Sequence, residues 1–442
     1  MPTALTDIAQ KQARAPTTDE RVILILQGPL SWLYRKIGDE LTRAGCRVIK
    51  INFCVGDRLF WATSGGIAYR GRPAHWRAFV ANLMDREAVT DILVHGDRRF
   101  YHLQAVEEAK QRGIYIAATE LGILRSGWLT LERNGVSTLS HFPCEKEQVL
   151  KIAHSYSEID FAPRFPGSFK NEAVPNVLYH LSNTFFWFFY PHYRRHTVTH
   201  PFLDYGAWLL RLAGAKKRKR IAEDRMSSLF ASGADFFVYP LQLEGDYQLR
   251  HHSPFQSGRE ALGQVMKSFA AHAAATAKLV VKTHPLDNGL DRWERTVADL
   301  AERCGLKGRV VFLDGVGLKP LLERTKGLVT VNSTSGFEAL QMECPVKALV
   351  PAHFDMEGLT HQGALKTFWQ APTRPDAELV LAYQHAIAAT IQVRGSITHK
   401  EGSSVGAHHI AARLLKRSLN EPGGYIEPPP RLERARELGC PL

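Results

Sequence analysis

Short apolar runs alternate with longer stretches of helical period in two parts of this chain. The first part opens on RVILIL (21–26), which ends in QGP and leads into a helix-compatible segment over 32–44. It continues with CRVIKINF (46–53), a helical HWRAFVANLMD (75–85), DILVHG (91–96), a helix over 102–112 and IYIAAT (114–119). Apolar runs of strand length set between helices predict a parallel sheet covered on both faces. The rhythm is lost over 145–226, which reads as helical, aromatic and basic. It resumes with FFVYPLQL (236–243), a helix over 259–275, KLVVKTHP (278–285), a helix over 292–304, RVVFLDG (309–315), LKPLLER (318–324), GLVTVNSTSG (327–336), a helix to 343 and VKALV (346–350). The pattern predicts an α/β chain of two Rossmann-like domains facing a cleft, over 21–145 and 231–376, with an insertion or interdomain region at 146–230. A polar leader over 1–20 precedes them, and 377–442 supplies a helix over 377–393 that crosses back and a loose Pro-rich tail after 420.

Composition narrows this picture. At 442 residues, 45% hydrophobic and 23% charged, the chain is too long for one core and has apolar material for two. The leader has no apolar stretch of signal length, and no run reaches the roughly 20 apolar residues that span a bilayer, so a cytoplasmic protein is expected. Six cysteines without a CxxC pair support neither a zinc site nor a disulfide framework. A net charge of +12 asks for an anionic partner: nucleic acid, phospholipid head groups or an acidic substrate. The basic KKRKR (216–220) lies downstream of FFWFFY (185–190) and of Arg194, Arg195 and His196. Aromatics near a polybasic run fit a surface resting on an anionic bilayer, while a core helix followed by a solvated turn explains them equally well. Nucleic acid is the poorest fit, because no recognisable binding module surrounds these residues.

In doubly wound sheets ligands bind beyond the carboxyl ends of the strands, so the polar residues there are the candidates. KTHPLDNG (282–289) puts Lys282, His284 and Pro285 at a strand end, where a phosphate or carboxylate can be met; a simple turn is the competing reading. VNSTSGFEAL (331–340) sets Ser333, Thr334 and Ser335 between a strand and a helix, offering hydroxyls and backbone N–H groups to an anion, or simply capping the helix. In the first domain HGDRRFYH (95–102) collects Asp97, Arg98 and His102, which suit an acidic sugar or a structural ion-pair cluster. Glu120 and Arg125 follow in ATELGILRSGWLTLE (118–132), with Glu120 a candidate acid or base. Asp246 stands in YPLQLEGDYQLRHHS (239–253), where it suits a double-displacement nucleophile, although spacing alone favours a surface-loop acid; Gln242 nearby is a candidate for binding the nucleotide sugar. There is no Walker motif, GxGxxG after the first strand, HExxH or GxSxG, so kinase, simple dehydrogenase, zincin and serine-hydrolase readings lack support.

Taken together, LQGP (26–29), GDRRFYH (96–102), ELGILR (120–125), LQLEGDYQLRHHS (241–253), KTHPLDNG, VNSTSGFEAL and GLTHQGALKTFWQA (358–371) resemble the KpsS-type capsule polysaccharide proteins, β-Kdo transferases that build the Kdo linker of capsules. The resemblance implies a GT-B-like fold, CMP-β-Kdo as donor, a phosphatidylglycerol-type lipid or growing Kdo linker as acceptor, retention of configuration, and no metal or cofactor. It makes Asp246 the nucleophile and Glu120 the acid or base for the acceptor hydroxyl. His284 with Ser333, Thr334 and Ser335 would hold the CMP moiety, and Asp97, Arg98 and Arg125 the sugar or acceptor side. Residues 119–126 depart from the family's glutamate pair and Tyr-Leu-Arg-Pro run while keeping the acid and the arginine. The expected location is then peripheral on the inner membrane, with a capsule assembly or export complex as a further partner. A noncatalytic assembly or export factor and a nucleotide-sugar epimerase are the rival readings.

Overall fold

The computed structural model describes residues 20–62, 65–125, 127–155, 159–195 and 200–442. Most of the polar leader, Ser126 and His196 therefore lie outside the described residues. Among the described residues twelve strands run in chain order: β1 (Val22–Ile25), β2 (Arg47–Asn52), β3 (Gly66–Ala68), β4 (Asp91–His95), β5 (Tyr115–Leu121), β6 (Trp128–Arg133), β7 (Phe236–Pro240), β8 (Lys278–Lys282), β9 (Val310–Leu313), β10 (Gly327–Thr330), β11 (Val346–Ala348) and β12 (Gln392–Arg394). The chain forms two compact units. One holds the described residues up to Val136 with Phe161–Arg194 and Ile391–Asn420, and the other holds Ser137–Asp160, the described part of Arg195–Thr390, and Glu421–Leu442.

The first unit is built on a sheet of order β12-β6-β5-β4-β1-β2-β3, in which β3, β2, β1, β4 and β5 are parallel and β6 and β12 antiparallel. Alternation along β1 sends Val22, Leu24 and Leu26 to one face, where they pack with Trp76, Val80 and Leu83 of the helix Trp76–Arg86 and Ala105 and Ala109 of the helix Phe100–Gln111. Ile23 and Ile25 go to the other face, against Ile37 and Leu41 of the helix Leu33–Arg43 and Ile410 and Leu414 of the helix Lys400–Leu415. The second unit has the order β11-β10-β7-β8-β9, all parallel. One face of that sheet (Phe237, Tyr239, Leu279, Val281, Val329) packs on the helices Gly258–His272 and Trp293–Arg303. Both units thus carry the doubly wound 3-2-1-4-5 order, with switch points between β1 and β4 and between β7 and β10. This is the α/β class and the pair of Rossmann-like units that the apolar pattern predicts.

The units divide the chain differently from the expected boundaries. Residues 146–230 are not a separate insertion: the helix Phe169–Phe185 joins the first unit and the helices Pro201–Ala213 and Ala215–Ala231 join the second. Asn183 shows why, since its Oδ1 accepts from the Gly56 amide at 2.8 Å. The expected crossing helix over 377–393 stops at Thr390, because the β-branched Ile391 and Val393 favour extension, and Gln392–Arg394 pairs with β6. The tail is not loose either. Buried Arg431 donates to the carbonyls of Phe142 at 2.7 Å, Ala352 at 3.1 Å and His353 at 2.5 Å, all in the second unit.

One ion pair closes the first unit's sheet onto its C-terminal helix. Arg21 and Asp91 are almost wholly buried, and Arg21 donates Nη2 to Asp91 Oδ1 at 2.5 Å and Nε to Oδ2 at 3.1 Å. The same guanidinium reaches Leu414 O at 3.0 Å and Leu415 O at 2.9 Å, filling acceptors that the end of the helix Lys400–Leu415 leaves without an intrahelical donor. Removing one partner leaves a buried charge uncompensated. Asp91→Asn is expected to cost about 3 kcal/mol, read as a lower urea midpoint, whereas the double change Arg21→Met with Asp91→Leu recovers much of that loss. A single variant as stable as wild type would contradict this.

Candidate functional site

At the first unit's switch point, the turn after β4 begins at Gly96, whose φ of 67° lies in the left-handed region. A Cβ there would stand in ordinary van der Waals contact with Glu120, its Oε2 3.4 Å away. The charges of Glu120 and Arg99 are both felt at Tyr34, which places the three in one neighbourhood. Tyr34 is bonded through its hydroxyl to Thr119 Oγ1 at 2.8 Å, and His95 Nδ1 meets the same oxygen at 3.0 Å. Asp97 is buried, its Oδ2 accepts from the Val136 amide at 3.1 Å, and burial raises its carboxyl pKa. Arg98 is buried beside it, and desolvation lowers its pKa. Arg99, which the sequence reading passed over, is the half-exposed arginine of the pair and donates to Gly28 O at 3.2 Å, just past β1. Arg125 is exposed in the hairpin between β5 and β6.

A brace behind Gly28 was also missed. Gln27 Nε2 donates to Asp57 Oδ1 at 2.8 Å and lies 3.0 Å from Tyr179 Oη and 3.1 Å from Tyr193 Oη, while Asp57 Oδ2 accepts from the Phe53 amide at 3.0 Å. Lys50 is buried nearby; desolvation pushes its pKa down to about 8, against the pull of Asp57. The only sequence signal for this network was Gln27 itself, a polar residue directly after an apolar strand.

In the second unit the switch point is clamped by two amides. Buried Gln242, after β7, donates Nε2 to Asn332 Oδ1 at 3.0 Å and accepts from the Asn332 amide at 3.4 Å, while Asn332 Nδ2 donates to Gln248 O at 2.8 Å. Gln242 is therefore placed as a brace between the loops after β7 and β10. Asp246 caps the short helix Tyr247–His251, its Oδ1 accepting from the Gln248 amide at 2.9 Å. His252, buried at the end of that helix, meets Thr138 Oγ1 through Nδ1 at 2.5 Å.

After β8, His284 Nδ1 accepts from the Leu286 amide at 3.1 Å, which puts the ring proton on Nε2. Pro285 is exposed beside it. Lys282 is buried and donates to Thr283 O at 3.1 Å, and desolvation lowers its pKa. After β10, Ser333 Oγ accepts from the Ser335 amide at 3.2 Å and from Ser335 Oγ at 3.0 Å, with Thr334 at the N-cap of the helix Ser335–Leu340. Asp246, His284 and the Ser333–Ser335 turn thus all stand at carboxyl ends of strands in one sheet.

These features define an α/β protein of two Rossmann-like units with polar loops at each switch point. The chain belongs to the family described as capsule polysaccharide biosynthesis protein, whose family model matches residues 90–397. It is 31% identical over 382 residues to the capsule polysaccharide modification protein LipB of Neisseria meningitidis serogroup A, covering 85% of this chain and 91% of that protein. It is 27% identical over 380 residues to the capsule polysaccharide export protein KpsS of Escherichia coli, covering 84% and 95%. Among solved structures, the KpsC beta Kdo 2,7 transferase of Thermosulfurimonas dismutans aligns with a TM-score of 0.43 and 16% identity over 90% of this chain and 99% of that one. A UDP-N-acetylglucosamine 2-epimerase from Listeria monocytogenes aligns with a TM-score of 0.30 and 13% identity over 92% and 99%. Neither structural likeness is close enough to carry function.

His102 gives this site a pH signature. Its Nδ1 donates to Gly96 O at 2.7 Å, its Nε2 is buried with no hydrogen-bond partner among the described residues, and burial pushes its pKa from 6.5 down to about 3. Between those values the unfolded chain binds a proton that the native site refuses, so stability falls as pH drops from about 6.5 toward 3, by roughly 1.4 kcal/mol per pH unit. His102→Gln keeps a donor for Gly96 O and removes the titration. Urea melts at pH 7 and pH 5 should show a smaller acid loss in the variant; equal losses would contradict the assignment.

Proposed function

We propose that this capsule protein is a retaining glycosyltransferase that moves Kdo from CMP-β-Kdo to a phosphatidylglycerol-type lipid or a growing Kdo linker, at the cytoplasmic face of the inner membrane. The observation that carries the reading is the placement of Asp246, His284 and Ser333 to Ser335 on neighbouring strand ends of one doubly wound sheet. His284 Nε2–H and the hydroxyls of this turn are donors suited to a phosphate, which favours an anionic nucleotide sugar over a neutral one.

In this mechanism the Asp246 carboxylate attacks the anomeric carbon, the bond to the CMP oxygen breaks, and the electron pair leaves with CMP, stabilised by His284 and the serines. A covalent glycosyl ester remains on Asp246. Glu120 then takes the proton from the acceptor hydroxyl as its oxygen displaces Asp246, and two inversions give net retention. Asp97, Arg98, Arg99 and Arg125 supply the acidic-sugar or acceptor side, where the buried Asp97 and Arg98 act by holding the turn in place. No cofactor or metal is needed for these steps.

The surface supports a membrane location. Phe185, Phe186, Trp187, Phe188 and Phe189 are all exposed, which removes the core-helix reading of this run, and Arg194 and Arg195 are exposed nearby in the chain. Among the described residues no helix is long and apolar enough to cross a membrane. The export label of the Escherichia coli relative favours one rival, a noncatalytic assembly or export factor.

Purified chain given CMP-β-Kdo and a phosphatidylglycerol acceptor is expected to form a Kdo-glycolipid. Asp246→Ala should abolish turnover and adduct formation, and Glu120→Gln should lower kcat by about 10²- to 10⁴-fold. No product under conditions where an authentic β-Kdo transferase works would sink the enzyme reading, and an unchanged capsule in an Asp246→Ala strain would favour the scaffold.

A further inference from the structure

The helix Pro201–Ala213 of the second unit has its polarity inverted. At about 100° per residue, Phe202, Gly206, Leu209, Leu210 and Ala213 share one face, with Leu203 and Leu212 on its flanks. That face is turned to solvent: Phe202 is 52% exposed, Leu203 65%, Leu209 70%, Leu210 78% and Leu212 51%. A surface helix ordinarily buries this stripe, and a patch this apolar on a folded chain marks an interaction site.

The inward face is the charged one. Asp204 Oδ1 accepts from Asn288 Nδ2 at 2.6 Å, and Arg211 grips Asp314 with two bonds, Nη2 to Oδ1 at 2.7 Å and Nη1 to Oδ2 at 3.0 Å. Arg218, just past the helix, reaches Asp314 at 3.4 Å, and Thr283 Oγ1 donates to the same carboxylate at 3.0 Å. Rolling the leucines inward would break the Asp204 and Arg211 contacts, so these bonds hold the apolar face outward.

What borders the face says what covers it. The next helix, Ala215–Ala231, opens with Lys216, Lys217, Lys219 and Arg220, all exposed, on a chain of net charge +12. Leucines beside a lysine cluster match the boundary between acyl chains and anionic head groups. With 13 residues the helix is about 20 Å long, too short to span and suited to lying in the interface.

We propose that Pro201–Ala213 is an interfacial anchor that seats its leucines in an anionic bilayer, with Lys216 to Arg220 on the head groups. The inference deepens the membrane-surface reading above and rests on it only for the choice of bilayer over protein. It also ties that membrane contact to the candidate donor site, since Thr283 and Asn288 flank His284 in the loop that the anchor's polar face holds.

Flotation of the full chain with phosphatidylcholine vesicles, with and without phosphatidylglycerol, tests this without donor or acceptor chemistry. Wild type should float with the anionic vesicles and less at high salt. Leu209→Glu with Leu210→Glu should lower the partition coefficient by about tenfold or more while leaving the thermal unfolding midpoint unchanged. Lys216→Ser with Lys217→Ser should weaken binding to anionic vesicles alone. A double-leucine variant that floats like wild type would overturn the proposal. So would a wild type that ignores vesicles but forms a dimer, in sedimentation, that the leucine changes break. A chain that floats as expected yet transfers no Kdo leaves the anchor standing and removes only the transferase reading.

Discussion

A parallel strand buried on both faces can keep polar side chains only where it ends. In β1 and β10 every residue is buried, and the same holds for most of β7 and β8, so the chemistry of each unit is pushed to the loops beyond their carboxyl ends. Those loops must satisfy their own buried amides before they can serve a ligand. The first unit does so by sending Gln27 to Asp57 and the two tyrosines, and the second by the paired bonds between Gln242 and Asn332. Outside the braces stand Arg99 and Glu120 in one unit and Asp246, His284 and the serine turn in the other.

The central strands were readable because VILI, KLVVK and GLVT are apolar runs closed by turn residues, with little else they could form. The edges were not. WLTLER follows a loop closely enough to be taken as its continuation, and QVR is too short to register against the apolar helix before it. The helix Lys400–Leu415 carries two glycines and two serines in its first half, a composition that predicts weak helicity. Packing of Ala407, Ile410, Ala411 and Leu414 on the sheet decides it, together with Arg21 at its far end.

The site was legible by loop and not by residue. Neighbouring arginines look alike in sequence, yet Arg98 turns into the protein and Arg99 toward the loop after β1, because a tight turn at Gly96 sends successive side chains apart. Gln242, a candidate for the nucleotide sugar, also braces the loops, while Asn332, which drew no notice beside three hydroxyl residues, ties the loop after β10 to Gln242 and Gln248. Family membership fixes capsule polysaccharide biosynthesis as the setting. On the reading proposed above, the first unit takes the acceptor side and the second the nucleotide.

A crystal structure of the full chain with CMP tests that division most directly. The account predicts the nucleotide on the second unit, with its phosphate in hydrogen-bond reach of His284 Nε2 and of the Ser333 to Ser335 turn, and with Asp246 on the side where the sugar would leave. CMP seated instead on the first unit at the Gly96 turn, or bound away from both switch points, would contradict it.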